Sequence, residues 1–183
     1  MFSEKPTIVG ERVVLRPIVA ADADAMWADL DDPEGARLTG THATFTRAAI
    51  ERWAATRADQ PDRLDLAVTE RATGAWLGEV VINDWDADNR CCGFRIALGP
   101  HGRDRGFGTE ATRLIVDHIF ATYEPVHRIE LEVFAFNPRA RAVYERVGFV
   151  YEGTRRDALR WDGEWVDAID MAILRPDWQT ARP

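Results

Sequence analysis

The stretch from Phe94 to Phe136 constrains this chain more than any other. Phe94, Ile96 and Leu98 alternate with Arg95 and Ala97, a period of two that calls for a strand over Cys92 to Leu98. Gly99-Pro100 ends it, and the charged, glycine-bearing segment Arg103-Asp104-Arg105-Gly106-Phe107-Gly108 follows. From Gly108 to about Tyr123 the period lengthens to that of a helix, with Ala111, Leu114, Ile115, His118 and Ile119 along one face. His118 reads as a packed core histidine. Ile129, Leu131, Val133 and Ala135 then alternate with Glu130, Glu132, Phe134 and Phe136, so one face of this strand carries two carboxylates and two aromatics. That mixed face suggests a lined cleft.

The flanks extend the same grammar. Val13 to Pro17 reads as a strand, and Met26, Trp27 and Leu30 as the stripe of a helix that ends near Asp32-Pro33. Glu34 to Phe45 is expected to be loop. Thr46 caps a second helix carrying Ile50, Trp53 and Ala54, which ends before Pro61. Leu64 to Thr69 and Trp76 to Asn83 should pair as an antiparallel hairpin across Ala72-Thr73-Gly74, with Asp84 to Asn89 turning the chain again. Asn137 at a cap, Pro138 at the first helical position and Gly148 past the end bound a further helix. Val150 to Gly153 and Trp165 to Leu174 read as the last strands, with Asp162-Gly163 as a turn nearby, and Gln179 to Pro183 as a fraying end. Helices thus interrupt a largely antiparallel sheet, an α+β order without repeat or linker, and residues 1–183 are expected to form one domain.

Charge and cysteine content narrow the partners. The 23 basic and 31 acidic side chains leave a formal net charge of −8, which disfavours nucleic acid and anionic membrane and favours a cationic substrate. Cys91 and Cys92 are adjacent, a spacing that rarely reaches disulfide geometry, so both should be reduced thiols. The N-terminus has no apolar core of signal-peptide length, and no apolar run approaches the ~20 residues that span a bilayer. The expected location is the cytoplasm.

The segment between the strand ending at Leu98 and the following helix is where unpaired backbone N–H groups and the helix dipole favour an anion. Gly106 and Gly108 let the backbone approach a phosphate, and Arg103 and Arg105 add positive charge. The segment lacks the Lys-Ser or Lys-Thr of a Walker loop and the glycine spacing of a Rossmann turn. What it resembles is motif A of the GNAT acetyltransferase superfamily: Arg or Gln, two residues, Gly, one residue, then Gly or Ala, supplied here by Arg103, Gly106 and Gly108. Gly10-Glu11-Arg12-Val13-Val14-Leu15-Arg16-Pro17 and Gly148-Phe149-Val150-Tyr151-Glu152-Gly153, continued by Arg156, Gly163 and Asp167, are similar to signatures of its ribosomal-protein N-terminal acetyltransferase (Rim-type) branch. Asp104 departs from the pattern, since relatives commonly carry glycine or a basic residue there.

The resemblance implies a mostly antiparallel twisted sheet of about seven strands flanked by about four helices, and acetyl-CoA as cosubstrate with no metal. It places the diphosphate at Arg103, Asp104, Arg105, Gly106, Phe107, Gly108 and Thr109, and the pantetheine along the main chain of Arg95, Ile96, Ala97 and Leu98. Asn137 matches a cofactor-contacting asparagine, and Tyr144 the usual general acid. Glu132, five residues before Asn137, is the leading candidate for the base, with Glu79 and Asp84 as rivals. Trp85 and Trp161 are candidate platforms for a cationic amine. The implied activity is acetyl transfer to a peptide N-terminal amine. A small amine such as a polyamine or aminosugar, and a non-catalytic acyl-CoA-binding module, stand as alternatives, and the branch implies a homodimer.

Overall fold

The computed structural model describes residues 1–181. Its eight strands are β1 (Ile8–Val9), β2 (Val13–Pro17), β3 (Leu64–Glu70), β4 (Trp76–Asp86), β5 (Cys91–Leu98), β6 (Arg128–Phe134), β7 (Val150–Trp161) and β8 (Glu164–Leu174). They form one sheet in the order β1-β2-β3-β4-β5-β6-β8-β7, antiparallel throughout except where β5 meets β6. The helices are α1 (Ala23–Asp29), α2 (Pro33–Thr39), α3 (Arg47–Thr56), α4 (Phe107–Thr122), α5 (Pro138–Val147) and α6 (Arg175–Thr180).

Period-two alternation divides the core between the two faces of this sheet. Leu66, Val68, Val80, Ile82, Cys92, Phe94, Ile129, Leu131 and Val133 join the buried face of α4 in the main core, with Ala111, Ile115 and Ile119 at its centre. Ala67, lying between Leu66 and Val68, points the other way and packs with Ile18, Ala23, Ile50 and Ala54 beneath α1 and α3. A third cluster on this second face joins Phe134, Leu159 and Ala168 to Phe136, Trp161 and Val166. Glu79, Arg95, Ala97, Glu130 and Glu132 therefore share the second face by strand parity.

Several sequence expectations need correction. The segment from Glu34 to Phe45, expected as loop, contributes residues 34–39 to α2: the Asp32 side chain accepts from Gly35 N at 3.0 Å, Pro33 starts the helix, and Gly40 closes it at φ 64°. The strand expected over Val150 to Gly153 runs on to Trp161, because β7 pairs with β8 as far as Trp161↔Glu164. The short strand β1 and the helices α2 and α6 lie beyond the expected seven strands and four helices. β4 also runs through Asp86, whose carboxylate then holds the turn by accepting from Asp88 N and Asn89 N. Of the segment expected to fray, Gln179 and Thr180 close α6, while Arg182 and Pro183 lie outside the described residues.

Arg175 fastens the end of α4. Its guanidinium donates to the carbonyls of Phe120 and Tyr123 in the last turn and cap of α4, at 2.7 and 2.8 Å, and to that of Val126 in the turn that follows, at 2.7 Å. Cys91 and Cys92 are both free thiols, and burial pushes the Cys92 thiol up to about 12. His118 is half-buried, edge-on to Tyr123, and burial lowers its pKa. No helix among the described residues is long and apolar enough to cross a membrane.

Candidate active site

The site begins where β5 and β6 part. They pair in parallel at Cys91↔Arg128, Cys92↔Ile129 and Gly93↔Glu130, and beyond that row no pairing joins them. The edge of β5 from Phe94 to Leu98 therefore faces a gap, with backbone groups available to an extended ligand. Arg95, Ile96, Ala97 and Leu98, expected to hold pantetheine, lie along this edge.

At the far end of β5 the chain enters the glycine loop. Gly106 caps α4 at φ 82°, a left-handed conformation that suits glycine, and no side chain closes the cap. The first-turn amides at Phe107, Gly108 and Thr109 have no intrahelical acceptors and form an anion cradle. A Cβ at Gly108 would sit 3.2 Å from Leu98 Cδ1, so a side chain there would crowd the end of β5. Glu110 in the same turn is directed away, accepting from Arg12 N at 2.9 Å and so tying α4 to β2. Cradle and open edge are contiguous, which fits a long thioester cofactor carrying a diphosphate.

The loop charges differ from expectation. Arg103 is only 13% exposed in its side chain and binds Asp32 and, at 3.3 Å, Glu34, so it braces the loop against α2. Arg105 pairs with Glu70 at 3.0 Å and lies over the Phe107 ring. Asp104 receives Arg139 of α5 at 2.6 Å, and Arg139 also reaches Glu34 at 2.9 Å. Sequence reading missed Arg139, which offsets the negative charge that Asp104 brings to the cradle. Its signal was its place directly after Asn137-Pro138.

Asn137 caps α5, its Oδ1 accepting from Ala140 N at 3.1 Å. Two turns on, Tyr144 is 7% exposed, with its ring 6.1 Å from Phe94 and 5.9 Å from Phe149. Phe94 is the first β5 residue past the last paired row, so Tyr144 packs at the apex of the gap from the α5 side. Burial raises its pKa, which keeps the hydroxyl protonated.

The carboxylates lie on the opposite face. Glu132 is ion-paired to Arg155, which also binds Asp170 at 3.1 Å across the strands. Arg155 was not foreseen, because the shifted β7–β8 register sets its position. Glu79, in register with Ala97, has an Oε2 shut off from solvent without a hydrogen-bond partner. Burial, and then the nearby Asp65, push the Glu79 carboxyl up to about 7 against the opposing pull of Arg95. Asp84 is exposed at a break in the β4–β5 register. Trp161 stacks with His42 at 4.9 Å and joins the third apolar cluster, whereas Trp85 packs against the main core. Among the described residues, no group of three or more His, Cys, Asp or Glu side chains is arranged to hold a metal ion.

Residues 12–150 match the family described as acetyltransferase (GNAT) domain. The chain belongs to the GNAT family. A probable N-acetyltransferase of Bacillus subtilis is 41% identical over 73 residues, 40% of each chain. The ribosomal protein uS5-alanine N-acetyltransferase of Escherichia coli is 30% identical over 91 residues, 50% of this chain and 46% of that one. The spermidine N(1)-acetyltransferase of Vibrio cholerae is 31% identical over 108 residues, 59% of this chain and 62% of that one. The matched regions thus span less than two thirds of these GNAT relatives. Among solved structures, a GCN5-related N-acetyltransferase from Brucella melitensis superposes with TM-score 0.78 at 26% identity, over 96% of this chain and 81% of that one. A spermidine N-acetyltransferase from Vibrio cholerae, solved with CoA and spermine, has the same fold, with TM-score 0.84 at 20% identity over 93% and 99%.

Proposed function

We propose that this GNAT-family chain is an acetyl-CoA-dependent N-acetyltransferase that moves acetyl to a primary amine by direct attack in a ternary complex, with a peptide or protein N-terminal amine as substrate. The observation that carries this reading is the open edge of β5, with the anion cradle of α4 at one end and Tyr144 packed at the other. Likeness to an enzyme named for a ribosomal-protein alanine supports the N-terminal amine. A polyamine is the second reading, favoured by the carboxylates Glu79, Asp84, Glu130, Glu132 and Asp170 around the second face.

The chain's groups divide the work by position. The Phe107 to Thr109 amides hold the diphosphate, and the main chain from Arg95 to Leu98 holds the pantetheine arm. A β5 backbone N–H stabilises the oxyanion that forms when the amine attacks the thioester. Tyr144, which burial keeps protonated before each turnover, is placed to give its proton to the sulfur as the C–S bond breaks. Glu132, held by Arg155, contributes negative field at the mouth of the gap, where it draws in a cation. A homodimer in the cytoplasm belongs to the same proposal; sedimentation and cell fractionation test those two features.

The deciding experiment incubates the protein with acetyl-CoA and either an alanine-initiated peptide or spermidine. Thiol release is followed, and the products are weighed by mass spectrometry. An acetylated peptide α-amine supports the first reading and acetylated spermidine the second. Binding of acetyl-CoA without thiol release above background hydrolysis would leave only a binding module.

A further inference from the structure

Of the 23 lysine and arginine side chains in the sequence, all but Lys5 are arginine. The exception stands where the fold needs a compact point charge rather than a planar fork. Lys5 Nζ donates to the carbonyl oxygens of Phe2 at 2.6 Å, of Gln60 at 2.5 Å and of Arg63, so each of its three N–H groups has an acceptor. These carbonyls come from two distant stretches. Phe2 belongs to the segment ahead of β1, whereas Gln60 and Arg63 flank the turn that leads into β3. The ammonium therefore pins the N-terminal segment to that turn.

The rest of the attachment is small. Phe2 is fully buried in the main core, its ring 5.1 Å from Tyr123 at the end of α4, and its N–H donates to Pro61 O at 2.9 Å. Ser3 and Glu4, between the two anchors, are exposed, and Lys5 itself is only partly buried. A segment held by so few contacts opens locally far more often than the whole fold does. Docked, the nitrogen has every N–H committed to a carbonyl; undocked, it is an ordinary exposed amine. The turn also carries the effect inward. Arg63 grips the buried Asp65 of β3 through two bonds of 2.7 Å, and Asp65 is the carboxylate that helps to raise Glu79 on the second face.

We propose that Lys5 is an acetylation site gated by the docking of its own segment: closed while the ammonium bridges the three carbonyls, open when Phe2 leaves the core, and unable to close again once modified. In the open state Nζ gives one proton to water, and its lone pair attacks the thioester carbonyl of acetyl-CoA in solution. The C–N bond forms, the C–S bond breaks, and the thiolate takes up the second proton that nitrogen sheds. Ammonium and thioester become amide and thiol, with one proton set free. The amide nitrogen keeps one N–H and no charge, so it serves at most one of the three carbonyls and leaves the others without their donor. Guanidinium groups hold their protons and do not react in this way, which makes Lys5 the one side-chain amine of the sequence able to carry the mark. The transfer uses dissolved thioester and does not depend on the chain's own acetyl-transfer site.

The test incubates the whole chain with acetyl-CoA and follows Lys5 by peptide mapping, beside a synthetic peptide of residues 1–8 in the same tube. Acetylation of Lys5 in the folded chain is expected to be at least tenfold slower than in the peptide, and Phe2→Ala to speed it at least tenfold. Should Phe2→Ala fail to fold, urea below the unfolding transition supplies the same opening, and the same rise is expected. Once Lys5 is acetylated, the Phe2 amide should exchange with deuterium at least tenfold faster by NMR, and Lys5→Gln should do likewise without acetyl-CoA. A parent rate equal to that of the peptide, or no rise when the Phe2 anchor is lost, overturns the gate. Unchanged Phe2 exchange in the acetylated chain overturns the claim that the mark keeps the segment undocked.

Discussion

Replacing Glu79 with Gln should change how stability depends on pH, in a direction and amount that follow from burial. The Glu79 carboxyl is raised from 4.5 to about 7, chiefly by desolvation. Between those values the unfolded chain ionises while the folded one keeps its proton, so the folded state binds more protons and stability falls as pH rises. At about 1.4 kcal/mol for each pH unit over which the two states differ by one proton, the loss by pH 8 is on the order of 3 kcal/mol. That figure is an upper value, because only Oε2 is fully sealed and the residue as a whole is half-buried. Glu79→Gln removes this titration while keeping the shape. Urea unfolding of both proteins from pH 4 to pH 8 gives the difference in stability at each pH. That difference should move in favour of the variant by up to about 3 kcal/mol, with the change falling between pH 4.5 and 7. In thermal melts it corresponds to about 6–12 °C for a chain of this size. A difference that stays flat across the range would refute the claim that the buried Glu79 carboxyl keeps its proton above the ordinary carboxylate range.

Tyr144→Phe should lower kcat by at least tenfold in a thiol-release assay, with acetyl-CoA affinity unchanged, since the ring stays packed on Phe94 and only the proton donor is lost. Arg139→Ala leaves Asp104 uncompensated beside the diphosphate cradle and should weaken acetyl-CoA binding about threefold to tenfold. Adding Asp104→Gly should restore it, and calorimetry on the double-mutant cycle checks the coupling. Arg175→Met should destabilise the fold by about 3 kcal/mol in urea, because three carbonyls at the end of α4 and in the turn after it lose one charged donor.

What was legible in the sequence follows how each element is buried. α4 and the strands β3 to β5 each set apolar side chains against a core, so their periods stand out in the residues. α2 buries none of its residues and therefore shows no stripe; only Asp32, Pro33 and Gly40 mark its ends. β7 is an edge strand with both faces largely wet, and its Arg-rich run after Gly153 shows no alternation. The candidate site divides in the same way. The cradle follows from local spacing along one segment, whereas Tyr144 was singled out by the resemblance alone. The partners that redefine Glu132 and Arg103 come from distant segments, through the β7–β8 register and α2, which spacing does not encode. The three carbonyls around Lys5 come together only once the N-terminal segment and the turn before β3 are set side by side.

The parting of β5 from β6 also makes the sheet two plates stitched along one short seam. β1 to β5 form one plate and β6 to β8 the other, and three rows of backbone pairing hold them together, with α4 and α5 underneath. A cofactor arm laid in the opening, as proposed above, would bridge the two plates, and filling the gap would then stiffen the sheet.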